Sequence, residues 1–256
     1  VSDHPIIVPT AKGPVGAIVT EPGGEPRGGL VLFQGGGPPA RCGVNAIWTR
    51  IAHDLAALGL LVLRFDFACE AESTMVGMDA SQQPGWRSAL DMPVTREVSA
   101  WFRERAGLEE LMVAGSCYGA RLALELAAED RTVKGTFLVT PYLAGVRRAR
   151  RGGSGAAAPQ MAVAVRPDLQ QGVRDPLSAV TVDAAKAIAE RQCPFWMLIG
   201  EHDGEQALEL ESKIGSEAGG GLTVEVAPGI ALHPGTDAPA QKVIASRLRK
   251  RIAQQL

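Results

Sequence analysis

The string LMVAGSCYGARLALELA, residues 111–127, leaves the chain few ways to fold. It opens as a short apolar strand and closes as a helix, with only Gly115-Ser116-Cys117-Tyr118-Gly119 between them. In so tight a turn, side chains two residues either side of Cys117 would collide with the neighbouring strand and helix, so glycine stands at both places. The residue at the tip, Cys117, is then delivered to a helix N-terminus. Unpaired amides and the helix dipole favour negative charge there, so a cysteine gains thiolate character.

The rest of the chain repeats the same alternation. Residues 6–8 and 15–20, separated by a Lys-Gly-Pro turn, read as an antiparallel pair. Residues 28–34 (GGLVLFQ) form a continuous apolar run, the pattern of a strand buried on both faces. A Gly-Pro-rich loop follows at 35–39, and then Ile47, Ile51, Leu55 and Leu58 recur at helical spacing and stop at Gly59. Residues 60–65 are a second buried strand. A helix is expected over 92–106, opening near Asp91 and Pro93 and ending before Gly107. Strands at 111–114, 135–140, 194–199 and 222–226 follow, with helices at 120–128, between the last two strands, and at the end, where Val243, Ile244, Leu248 and Ile252 share one face. Such a pattern predicts an α/β fold, a mostly parallel sheet with helices on both faces, as a single domain over residues 1–256. One stretch, 141–192, breaks the rhythm with several prolines and a Gly-Ser-Ala segment; it reads as a cap or lid inserted over the active site, part helical over 183–191.

Composition narrows the function. A net charge of -2 argues against a nucleic-acid partner held through phosphates. No run approaches the roughly twenty apolar residues of a membrane span. The N-terminus VSDHPIIVP lacks a secretory layout, so a soluble, cytoplasmic protein is expected, a leader removed before Val1 being left open. The cysteines Cys42, Cys69, Cys117 and Cys193 have no C-x-x-C spacing, which points to free thiols with neither a zinc site nor a disulfide framework. Gly35-Gly36-Gly37 runs into Pro38-Pro39 instead of a helix, so it fails as a dinucleotide fingerprint, and no cofactor or metal is expected.

The strand-elbow-helix, a G-x-S-x-G motif with cysteine at its centre, together with the early Gly-rich loop and the later LIGEHDGE and GIALHPG strings, resembles the α/β-hydrolase superfamily along nearly the whole chain. Members with cysteine at this position include dienelactone hydrolases and thioesterase-like enzymes of natural-product pathways. The resemblance implies that Cys117 is the nucleophile and that its partners follow in the order acid, histidine, which Asp203 and His233 satisfy. Of the other histidines, His4 lies in the tail, His53 on an early helix and His202 directly before the acid. His233 is thus the expected general base, oriented by Asp203. The resemblance also implies an oxyanion hole, from the amide of Tyr118 and one after the first buried strand, Gln34 or Gly35; Gly36 is assigned to the pocket, where the glycine run permits close backbone approach to a substrate. The plainer alternative makes Cys117 a structural thiol and Asp203 and His233 ordinary loop residues.

The segment Arg64-Phe65-Asp66-Phe67-Ala68-Cys69-Glu70-Ala71-Glu72-Ser73 falls where many such hydrolases show R-x-D-x-x-G-x-G-x-S, with both glycines replaced. Glu70 and Glu72 either bring carboxylates toward the pocket or, the preferred reading, stand on a solvated loop. Trp86 is the tryptophan assigned to a pocket wall, while Trp48, Trp101 and Trp196 read as core. The basic run from Arg147 to Arg151 either grips a phosphate or an acidic carrier or, preferably, is a solvated patch on the lid. Acyl chemistry on an ester, lactone or thioester, small or carrier-borne, is the leading expectation. The strings VLFQGGGPPARCGVNAIW and LGLLVLRFDF are also similar to tailoring enzymes of tetronate and spirotetronate polyketide pathways. That likeness implies a second reading, a lyase that eliminates acetate to leave an exocyclic alkene. A third is a non-catalytic binding protein that keeps the fold.

Overall fold

A computed structural model of the chain describes residues 1–35, 41–67, 88–141, 179–200, 204–215, 222–228 and 238–256. Its strands are β1 (Ser2–Val8), β2 (Val15–Glu21), β3 (Gly28–Phe33), β4 (Leu60–Phe65), β5 (Leu111–Ser116), β6 (Val133–Val139), β7 (Phe195–Gly200) and β8 (Leu222–Ala227). The helices are α1 (Ile47–Ala56), α2 (Ser88–Arg105), α3 (Cys117–Glu129), α4 (Ala179–Glu190), α5 (Gly204–Gly215) and α6 (Ala238–Ala253). All the strands join one sheet in the order β1-β2-β4-β3-β5-β6-β7-β8. Among the described strands only β2 runs against its neighbours; from β4 through β8 in the sheet order every pairing is parallel.

The continuous apolar runs are explained by the two faces of this sheet, because successive side chains on a strand point to opposite sides. Leu30 and Leu32 of β3, Leu60 and Val62 of β4, and Met112 and Ala114 of β5 pack with α1 and α6. Their alternates Val31, Phe33, Leu61, Leu63, Leu111 and Val113 pack with α2, α3, α4 and α5 on the other face. Trp48 and Trp196 are buried and Trp101 packs against the core, as expected.

Several boundaries differ from the sequence reading, four of them by enough to matter. β1 starts at Ser2, because its whole length pairs with β2 from Ser2 opposite Glu21 to Val8 opposite Val15; on this edge strand exposed polar residues and Pro5 are tolerated. α2 starts at Ser88, which puts Pro93 inside the helix rather than at its opening. α3 starts at Cys117, so the elbow passes into helix without an intervening loop. The helix expected over 183–191 is α4, which begins at Ala179 and presses Ala184, Ala185, Ile188 and Ala189 into the core; the remainder of the proposed cap, 142–178, lies outside the described residues. Among the described residues no helix is long and apolar enough to cross a membrane.

Candidate active site

At the elbow the backbone changes hand. Ser116 is extended (φ −128°, ψ 153°), and Cys117, the first residue of α3, has φ 48°. A non-glycine residue in the left-handed region costs about 1–2 kcal/mol and persists only where its surroundings enforce it. The two glycines are that enforcement. A β-carbon on Gly115 would stand 2.8 Å from the carbonyl carbon and oxygen of Gly119, and one on Gly119 would overlap the carbonyl oxygen of Gln34. The turn is therefore closed against α3 on one side and against the end of β3 on the other.

Cys117 is half-buried, at the positive end of α3, whose first turn holds no acidic side chain to offset the dipole. The β3 exit lies beside it. Phe33 pairs with Gly115, Gln34 is buried, and a β-carbon on Gly35 would be 3.2 Å from Ser116 Oγ and 3.5 Å from Cys117 Cβ. Tyr118, Gln34 and Gly35 are thus gathered around Cys117, while Gly36 lies outside the described residues.

Two supports of this arrangement escaped the sequence reading. Asp66, just past β4, is wholly buried and accepts the Arg41 backbone N–H at 2.9 Å on Oδ1 and the Arg41 guanidinium on Oδ2. That ion pair fixes the far end of the Gly-rich segment whose near end, Gln34, is wedged against Gly119. The second support holds Tyr118. Its ring meets Phe67 edge to face at 5.5 Å, and its hydroxyl donates to Asp91 Oδ2 at 2.7 Å. Asp91, in the first turn of α2, is 1% exposed. The only local hint was a charged residue closing an otherwise apolar strand or opening a helix.

The remaining residues singled out, Asp203, His233, Glu70, Glu72, Trp86 and the Arg147 to Arg151 run, lie outside the described residues. Because β5, β7 and β8 are parallel, Ser116, Gly200 and Ala227 all end at one edge of the sheet; Asp203 follows β7, and His233 follows β8, in the sequence. His4 and His53 are engaged elsewhere: His4 Nε2 contacts Ser2 and Glu21, and His53 Nε2 bonds Asp3 at 3.1 Å. Both sit at β1, the sheet edge separated from β5 by β2, β4 and β3. Among the other thiols Cys42 is half-buried, and Cys193 is buried, which pushes its thiol pKa up.

No family model and no curated protein matches the chain. Solved structures do. A dienelactone hydrolase from Anabaena variabilis is 15% identical, with 99% of this chain and 97% of that one covered and a TM-score of 0.64. An α/β serine hydrolase homologue from Coxiella burnetii is also 15% identical, with 99% and 97% covered and a TM-score of 0.60. A highly thermostable carboxyl esterase from Bacillus coagulans is 12% identical, with 100% and 98% covered and a TM-score of 0.67. Sheet order, the one reversed strand and these full-length likenesses agree: the chain has the α/β-hydrolase fold, with Cys117 at the turn between β5 and α3.

Proposed function

We propose that this protein is an enzyme of acyl chemistry, hydrolysing or transferring an ester, lactone or thioester through a Cys117-His233-Asp203 triad. One observation carries the reading: a half-buried thiol in strained left-handed backbone, at a helix N-terminus, with the β3 exit packed beside it. The structural neighbours named as a dienelactone hydrolase and a carboxyl esterase support the same class.

In this mechanism His233 takes the thiol proton and Asp203 steadies the imidazolium. The thiolate attacks the substrate carbonyl carbon, and the C=O π pair moves onto oxygen. Backbone N–H groups of Tyr118 and of Gln34 or Gly35 receive that oxyanion. Collapse expels the alcohol or thiol, which leaves with the proton from His233, and a Cys117 thioester remains. Water or another acceptor, deprotonated by His233, attacks the thioester and frees the enzyme. The substrate is a small or carrier-borne acyl compound of natural-product biosynthesis, a choice supported by the sequence likeness to tetronate tailoring enzymes.

Intact-mass measurement after incubation with activated esters tests this. The expected result is a single acyl adduct that Cys117→Ala abolishes. An adduct that survives in Cys117→Ala would overturn the assignment. Release of acetate from an acetylated tetronate with alkene formation and no adduct would replace it with the elimination reading.

A further inference from the structure

Tyr118 is held far more firmly than a residue contributing only its backbone requires. It directly follows Cys117, and its side chain leaves the first turn of α3 toward the segments after β4 and at the start of α2. There it is held in two ways: Phe67 packs against its ring at 5.5 Å with the planes 87° apart, and Asp91 Oδ2 accepts its hydroxyl at 2.7 Å. Both supports are fixed in turn. Phe67 is fully buried and continues an edge-to-face series through Phe65 to Phe33, linking the ends of β4 and β3. Asp91 is 1% exposed and lies in the first turn of α2. A hydrogen bond to a buried carboxylate is stronger than a neutral one and fixes both distance and direction.

We propose that Asp91, acting through the Tyr118 hydroxyl, is a positioning residue that sets the orientation of the Tyr118 backbone amide beside the Cys117 sulfur. The inference rests on the acyl-transfer reading for its kinetic consequence. An oxyanion donor must be placed to within a fraction of an ångström, and losing one slows catalysis by about 10²–10³-fold. Loosening its anchor costs part of that. The step affected is oxyanion formation, so simple alkylation of the same sulfur, which builds no oxyanion, is spared.

The test compares Asp91→Ala, Asp91→Asn and Tyr118→Phe with the unaltered protein, each first checked for a native thermal transition. For Asp91→Ala and Tyr118→Phe, single-turnover acylation by an activated ester should slow at least tenfold at saturation, KM changing little. Their iodoacetamide alkylation at Cys117 should stay within about twofold. Asp91→Asn, whose amide oxygen still accepts the hydroxyl, should recover most of the rate. Acylation at full rate in Asp91→Ala and Tyr118→Phe overturns the inference, as does an equal fall in acylation and alkylation. If the unaltered protein forms no adduct at all, it is the acyl-transfer reading that fails. Hydrogen exchange then decides on the anchor: faster exchange of the peptide spanning Cys117 to Gly119 in Asp91→Ala upholds it, and unchanged exchange removes it.

Discussion

The carbonyl oxygen of Gln34 occupies the place that a β-carbon on Gly119 would need. Through this one contact the end of β3 and the start of α3 set each other's position, and Gly119 is the hinge of both. Gly119→Ala should therefore push the Gln34 and Gly35 backbone away from Cys117. Overpacking of this kind costs about 1–3 kcal/mol. Urea unfolding should show that loss, together with a fall in ester acylation larger than the stability change alone produces. Gly35→Ala, with its nearest contact a 3.2 Å approach to the Ser116 hydroxyl, should be milder on both counts.

Cys117 keeps its sulfur where it is by holding φ at 48°. Glycine has no β-carbon to strain in that region, so Cys117→Gly should be as stable as the parent or more stable by about 0.5–1 kcal/mol, after allowance for the looser unfolded chain. Acylation should vanish. Denaturation midpoints of the two proteins check this, and a clear drop in stability would mean that the side chain contributes more packing than its half-buried setting indicates.

Thiol reactivity should rank by setting. Cys117, partly exposed at a helix N-terminus, should alkylate well ahead of Cys42, while Cys193, whose pKa is raised chiefly by burial, should be slowest. Peptide mapping after brief iodoacetamide treatment at neutral pH gives the order directly. Equal sluggishness at Cys117 and Cys193 would point to a protein that has kept the fold without the chemistry.

Asp3 makes the edge of the sheet acid-sensitive. Burial raises its pKa, but hydrogen bonds from Thr20 and His53 and the charges of Arg64 and His53 outweigh that and hold the carboxyl below its ordinary value of 3.8. A depressed carboxyl contributes stability above the unfolded value, and that contribution is lost as pH falls from 3.8 through the lower folded value. Asp3→Asn should therefore be less stable than the parent at neutral pH, with the gap closing only below about pH 4. Urea midpoints measured from pH 7 down to pH 2.5 check the sign; a gap that closes nearer neutrality would shift the effect onto another group.

Much of the architecture could be read from the sequence because a strand buried on both faces leaves a plain mark. Leu60–Phe65 is an apolar run whose limits coincide with the observed β4, and the glycines around Cys117 announced the tight turn that puts it at φ 48°. The start of α2 was obscured by Pro93, which resembles a first-turn proline, while Ser88–Leu90 offers little periodicity. The supports of the site were hidden for another reason. Arg41 meets Asp66 across 25 positions and Tyr118 meets Asp91 across 27, so neither pair has a local signature. Arg64 illustrates the same point: placed by the sequence in a buried strand and at the head of the segment compared with R-x-D-x-x-G-x-G-x-S, it is 1% exposed and bonded to Thr49, Thr20 and Asp3, partners that lie 15, 44 and 61 positions away.

From β3 to β8 the strands all deliver their carboxyl ends to the same rim. Beneath that rim the described core is built from apolar side chains of the strands and helices on both faces of the sheet, while segments such as the one after β4 connect them above it. Evolution can accordingly rewrite what this scaffold grips by exchanging those segments one at a time, at little risk to the scaffold itself, and laboratory grafting can follow the same route.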